Sequence, residues 1–265
     1  MIATLISDFG TKDNSIAVSK GMLLRYCPTI QFIDITHEVE EYNLTQCSYL
    51  LKSSFSVFPE HTVHISLFGI MEQHPAVVLL AKVDNHYFIS ADNGLLEFTF
   101  SKEKLKVWRL NNSESNNFLD WLKNSGSLLK DIENIDESWI QSNMTVHTSV
   151  KQLPDIQPEL TNEGDLKCRV IHIDEFGNII LNITIEAFDE FRNGRTFSIF
   201  PPRQNAIEKI VNNFDGLVKG MPYCMVNSAG YLQLGLYKGN AADLYGFNLF
   251  DVERIIFDTI KIEFK

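Results

Sequence analysis

Four short stretches of this 265-residue chain carry side chains that could act on a ligand. In S-D-F-G-T-K-D, residues 7–13, Asp8 follows an apolar run and precedes a helical pattern. A carboxylate there can accept hydrogen bonds from both hydroxyls of a cis-diol such as ribose; a helix N-cap or an Asx turn is the competing use. In H-I-D-E-F-G-N-I-I-L-N-I, residues 172–183, a strand ends at Asp174 and the next opens at Asn178. Asn178 presents donor and acceptor together, which suits an adenine edge, and Phe176 offers a stacking face. An ordinary β-hairpin turn would use the same residues. In V-N-S-A-G-Y-L-Q-L-G-L-Y-K-G-N-A-A, residues 226–242, Ser228, Ala229 and Gly230 read as a hairpin turn. The small residues Gly239 to Ala242 would let a flat ligand reach the backbone, or simply begin a helix. The last stretch is T-H-E-V-E-E-Y, residues 36–42. His37 with Glu38, Glu40 and Glu41 fits no recognised metal spacing, so no metal is expected. Tyr42 faces either a ligand or the half-buried interior of its loop.

The elements around these residues follow from periodicity. Ile2 to Ile6 reads as a strand buried on both faces, and Asn14 to Arg25 as a helix. In that helix Ile16, Val18, Met22 and Leu23 share a side, and Gly21 allows a close neighbour. Asp8 therefore falls where a parallel strand hands over to a helix, the edge at which open α/β sheets bind ligands. Strands are expected at residues 30–35, 62–67, 76–83 and 87–90, with helices at 44–55, 118–129 and 135–140. Alternating strands and helices predict a mostly parallel α/β layer. A proline-bearing segment, 150–164, then marks a boundary, so the expected domains are 1–155 and 156–265. Beyond it the period becomes two, with strands at 167–173, 178–183, 195–200, 223–227, 231–236 and 255–264, which predicts a barrel or sandwich.

The whole chain excludes several classes. A net charge of −11 disfavours nucleic acid and anionic membrane as partners. Its four cysteines are far apart, which indicates neither a zinc site nor a disulfide framework. No signal-peptide pattern and no run of membrane-spanning length is seen, so a cytoplasmic location is expected.

Taken together the motifs resemble the SAM hydroxide adenosyltransferase family, whose relatives include fluorinases and chlorinases. The resemblance runs nearly the full length. It is carried by S-D-F-G-T-K-D at 7–13, K-G-M-L at 20–23, D-I-T-H-E at 34–38 and F-P-E-H-T-V-H at 58–64. A-D-N-G-L-L at 91–96, D-E-F-G-N-I-I-L-N-I at 174–183, and N-S-A-G-Y-L with G-N-A-A within 227–242 complete it. The resemblance implies an N-terminal α/β domain, a smaller C-terminal β-barrel and a homotrimer. The ligand, SAM or adenosine, would lie between one subunit's N-terminal domain and the next subunit's C-terminal domain, with no further cofactor. It implies that Asp8 holds the ribose diol and that Tyr42 lies beside the ribose and sulfonium. Asp174 would face the methionine ammonium, Phe176 and Asn178 the adenine, Ser228 the methionine carboxylate, and the backbone at Ala241 the adenine.

The catalytic part departs from the family pattern. SAM-hydrolysing relatives place an Asp in a V-D-P-G-V-G type loop after the third strand, an Arg soon after, and a His in an F-H-G-R-D type motif. Here that loop reads L-F-G-I-M-E-Q-H-P and is shorter, with Gly69 at the Asp position and no Arg following. Residues 111–121, N-N-S-E-S-N-N-F-L-D-W, hold neither His nor Arg. The catalytic residues are therefore unassigned, with Glu72 and His74 as substitute bases or as solvated loop residues. The expectation is slow hydrolysis of SAM to adenosine and methionine, with a non-catalytic binder of SAM or adenosine as the alternative.

Overall fold

The computed structural model describes residues 1–73, 75–100, 105–147, 157–247 and 258–265. It divides into two compact units, Met1–Leu153 and Pro154–Lys265. The boundary expected at 155/156 lies outside the described residues.

The first unit runs β1 (Ile2–Ile6), α1 (Ser15–Leu24), β2 (Gln31–Thr36), α2 (Leu44–Phe55) and β3 (Val63–Ser66), then a 3-10 turn at Ile70–Glu72. It continues with β4 (Leu79–Val83), β5 (His86–Ser90), α3 (Leu95–Thr99), β6 (Lys106–Leu110), α4 (Phe118–Asp131), α5 (Glu137–Asn143) and β7 (Met144–Val146). The strands form one sheet in the order β2-β1-β3-β5-β4-β6-β7. Pairs β1–β2, β1–β3 and β3–β5 are parallel; β4 and β7 run against the rest. Successive strand residues face opposite sides, and the two faces feed separate cores. Leu5, Leu80 and Ile89 pack with Leu23 of α1 and Trp121, Leu122 and Leu129 of α4. Their neighbours Ile6, Leu79 and Phe88 pack with Cys47, Leu51 and Phe55 of α2 and Leu95 of α3. The result is a sheet covered by helices on both faces.

Some local expectations need correcting. In α1 Leu23 is buried in the core and Met22 packs against it, as the expected stripe has them, but Val18 is exposed and Ser19 is buried in its place. No atom approaches Gly21 where a Cβ would be; the close approach is at Gly126 of α4, whose missing side chain makes room for the Tyr26 ring. Strands β6 and β7 were not anticipated. Both are short and only partly buried, which removes the alternation that marks a strand.

The second unit comprises β8 (Glu159–Leu160), β9 (Leu166–Ile173), β10 (Ile179–Thr184), α6 (Ile185–Arg192), β11 (Phe197–Phe200), β12 (Pro222–Val226), β13 (Tyr231–Leu236), α7 (Ala241–Tyr245) and β14 (Thr259–Phe264). Its sheet is antiparallel and curled, in the order β11-β14-β9-β10-β13-β12, with β8 added to β9. One core fills it, with Val170, Leu181, Ile199, Leu234 and Ile262 from the strands and Phe188 from α6. Segment 207–211 bonds to β11 through Ile207 and Ile199, and to β12 through Val211 and Cys224. Among the described residues no helix is long and apolar enough to cross a membrane.

Candidate functional site

Asp8 stands just past the carboxyl end of β1, and its role is not that of a helix cap. Helix α1 begins at Ser15, and the carboxylate that accepts from the Ser15 N–H is Asp13, at 2.8 Å. Asp8 reaches instead across the sheet edge, where its Oδ2 accepts the Gly69 N–H at 3.0 Å. Gly69 sits in the left-handed region with φ 61°, and Asn93 secures the same loop by donating to the Phe68 carbonyl at 2.8 Å. Burial raises the Asp8 pKa. The Gly69 bond opposes that rise, while the charges of Glu72 and Glu41 add to it.

Those two glutamates also frame Tyr42. This tyrosine has φ 63° and is exposed, and the carboxylates of Glu41 and Glu72 near its hydroxyl push its pKa up to about 12. The first unit thus gathers Asp8, Glu41, Tyr42, Gly69 and Glu72 on the edge that binds ligands in open α/β sheets. His74 lies outside the described residues. His37 is turned away from the glutamates beside it: buried, it bonds through Nδ1 to the Ser7 hydroxyl at 2.8 Å.

In the second unit the turn between β9 and β10 is built by Asp174. Its Oδ1 accepts from the N–H groups of Phe176 and Asn178, each at 2.9 Å, and its Oδ2 accepts from the Asn178 amide, also at 2.9 Å. The Asn178 carbonyl oxygen accepts from the Tyr223 hydroxyl at 3.0 Å. The Asn178 carboxamide is therefore fixed in one orientation while Phe176, 78% exposed, stands free beside it. Ala241 joins this group, because the Ala242 N–H bonds to the Gly177 carbonyl at 2.9 Å.

Ser228 does not join them. It is exposed in the turn between β12 and β13, and that turn meets the other end of β10, where the Ile185 N–H bonds to the Gly230 carbonyl at 2.8 Å. Register gives the same separation, since Ile179 pairs with Leu234 but Thr184 with Tyr231.

Sequence reasoning passed over Tyr223 and Phe214. Their rings pack edge to face at 5.3 Å, and Phe214 remains partly exposed next to the residue that orients Asn178. Nothing local marked them, because Phe214 lies in a loop and Tyr223 reads as a strand residue.

Comparison with known proteins joins these observations. The chain is 28% identical to an (R)-S-adenosyl-L-methionine hydrolase of Methanocaldococcus jannaschii, over 97% of this chain and 96% of the relative. A 62-residue segment, 23% of this chain and 21% of the relative, is 32% identical to a fluorinase of an Actinoplanes species. In fold it resembles the crystal structure of an uncharacterized conserved protein from Thermotoga maritima, with a TM-score of 0.77, 21% identity and 99% of each chain covered. The profile of the SAM hydroxide adenosyltransferase N-terminal domain matches residues 3–128, which hold Asp8, Tyr42 and Gly69. The C-terminal domain profile matches residues 168–253, which hold Asp174, Phe176, Asn178, Ser228 and Ala241. With a domain profile matched in each of its two units, the chain belongs to the SAM hydroxide adenosyltransferase family.

Proposed function

We propose that this protein binds SAM and hydrolyses it slowly to adenosine and methionine. Water attacks C5′, the C5′–S bond breaks with its electron pair passing to sulfur, and the water gives up a proton. The sulfonium leaves as a neutral thioether, which makes methionine a good leaving group. The observation that carries the reading is Asp8: a carboxylate whose ionisation burial opposes, at the edge of a parallel sheet, in the position where the family holds a ribose diol. Asp174, Phe176, Asn178 and Ala241 supply an adenine and methionine subsite on this reading. Ser228 supplies the carboxylate contact from the far turn, and Tyr42 lies beside the sulfonium. The assembly is a cytoplasmic homotrimer whose ligand bridges two subunits, and the curled sheet closes into a barrel through segment 207–211.

Gly69 favours a second reading, a non-catalytic binder of SAM or adenosine. Glycine has no side chain to orient water. General-base assistance is typically worth about 10²–10⁴-fold, so its loss leaves a rate set by positioning and exclusion of water. One assay separates the readings. Purified protein is incubated with SAM, adenosine and methionine are measured, and SAM and adenosine binding is followed in parallel by calorimetry. Binding with slow turnover supports the hydrolase, and binding without turnover the second reading. Turnover as fast as that of a relative with the full triad would mean that another group activates the water, with Glu72→Gln the first variant to make. Absence of binding removes both readings.

A further inference from the structure

The D-I-T-H-E motif supplies none of the proposed ligand contacts, yet it packs against the residue on which the site turns. Between β1 and β2 the register slips, so that Ile6 lies opposite Thr36 and Ile35 is skipped. Such a bulge bends a strand and re-aims the chain beyond it. Here it brings residues 36–39 alongside the turn that carries Asp8. Backbone bonds close the two segments together: Ser7 N–H to the Thr36 carbonyl at 3.1 Å, Val39 N–H to the Ser7 carbonyl at 3.3 Å, and Gly10 N–H to the His37 carbonyl at 2.6 Å.

A line of polar side chains runs along the same seam. Lys20 donates to Asp34 Oδ2 at 2.7 Å, Asp34 Oδ1 lies 3.1 Å from His37 Nε2, and His37 Nδ1 meets the Ser7 hydroxyl at 2.8 Å. Burial works against the Asp34 charge, but Lys20 and His37 together hold its pKa below the usual value. Ser7 is fully buried, and its oxygen also accepts the Phe9 N–H at 3.4 Å. The Ser7 hydroxyl thus spans Asp8, bonded to the residue on its far side. A buried hydroxyl can rotate among partners, and His37 holds this one in place.

We infer that His37 is a positioning residue: with the Asp34 carboxylate 3.1 Å from its Nε2 but not aligned to hydrogen-bond it, its Nδ1 fixes the Ser7 hydroxyl across Asp8 and so aims the Asp8 carboxylate at the ligand. The inference rests on the reading of Asp8 as the diol ligand. A serine, histidine and aspartate in line invite comparison with a nucleophilic triad, but Ser7 is sealed from any substrate and already accepts a backbone bond, so the line acts on geometry.

Two variants of opposite reach test this with adenosine as the probe. The amide of His37→Asn overlies the Nδ1 position and retains the Ser7 contact. The amide of His37→Gln overlies Nε2 and gives that contact up. By calorimetry His37→Gln should weaken adenosine binding about tenfold, the worth of one well-made hydrogen bond, whereas His37→Asn changes it by less than about threefold. In an Asp8→Ala background His37→Gln should cause no further loss, because contacts acting through one group are not additive. Equal affinities for the two His37 variants, or the same tenfold loss without the Asp8 carboxylate, would overturn the inference. Adenosine binding unchanged by Asp8→Ala alone would instead overturn the diol assignment, and the positioning role with it.

Discussion

Asp8 shows at the scale of one residue how a proposed binding group works against the stability of its own fold. A carboxyl whose folded pKa lies above its unfolded value of 3.8 is harder to ionise in the folded protein. Ionised Asp8 therefore subtracts stability at neutral pH. The penalty fades as pH falls and is gone below the unfolded value, where both states are protonated. Asp8→Asn, which can still accept the Gly69 N–H, should raise the melting temperature of the ligand-free protein at pH 7, with the gain vanishing toward pH 3.8. Asp8→Ala should weaken adenosine binding by about 10- to 100-fold through loss of charge-assisted bonds. A lower melting temperature for Asp8→Asn at pH 7 would assign the carboxylate a structural task. Residue types and spacing made the place of Asp8 at the sheet edge legible, because it comes two residues after an apolar run. His37 was legible only as a question about metal, since its partners Ser7 and Asp34 are brought to it by a bulge that no periodicity shows.

At the scale of elements, long buried segments could be read, and half-exposed β2 and α5 could too, but short elements such as β6 and β7 were missed. Strand β1, helix α2 and strand β13 fall where the pattern put them, because each has a continuous apolar face. Helix α6 was passed over although its signals are present: the Thr184 side chain caps it at one end, and Asn193, with φ 45°, stops it at the other. The turn at 174–178 was legible as a turn, but its support from α7 was not, since the two are far apart in the chain. Gly177 marks their contact. It has φ 76°, and any Cβ there would collide with the side chain of Asn240, which caps α7 by accepting the Asp243 N–H at 2.9 Å. Gly177→Ala should cost about 2 kcal/mol in denaturant unfolding, from the left-handed backbone and the displaced cap, and should weaken adenosine binding as well. Unchanged stability would show that the cap can move aside freely.

For the whole molecule, the proposed ligand contacts are divided between two units of the chain, Asp8 and Tyr42 in one and the remainder in the other. If neighbouring subunits share each site, binding is a property of the assembly. Light scattering should give three times the chain mass at micromolar concentration. Mixing Asp8→Ala protein with Asn178→Ala protein under conditions of subunit exchange should return a fraction of sites to the full adenosine affinity that each variant alone has lost. A stable monomer, or a mixture no better than its parts, would remove the shared site. Charge at this scale has a consequence for the order of events in the proposed turnover. Asp8, Glu41 and Glu72 crowd one edge of an acidic chain, with Glu41 and Glu72 both acting on Asp8 and Tyr42. SAM arrives as a cation, whereas adenosine is neutral and methionine carries no net charge. The edge should draw in the reactant and lose that hold once the C5′–S bond breaks, a directionality that needs no moving part. Raising ionic strength should then weaken SAM binding while leaving adenosine affinity nearly constant.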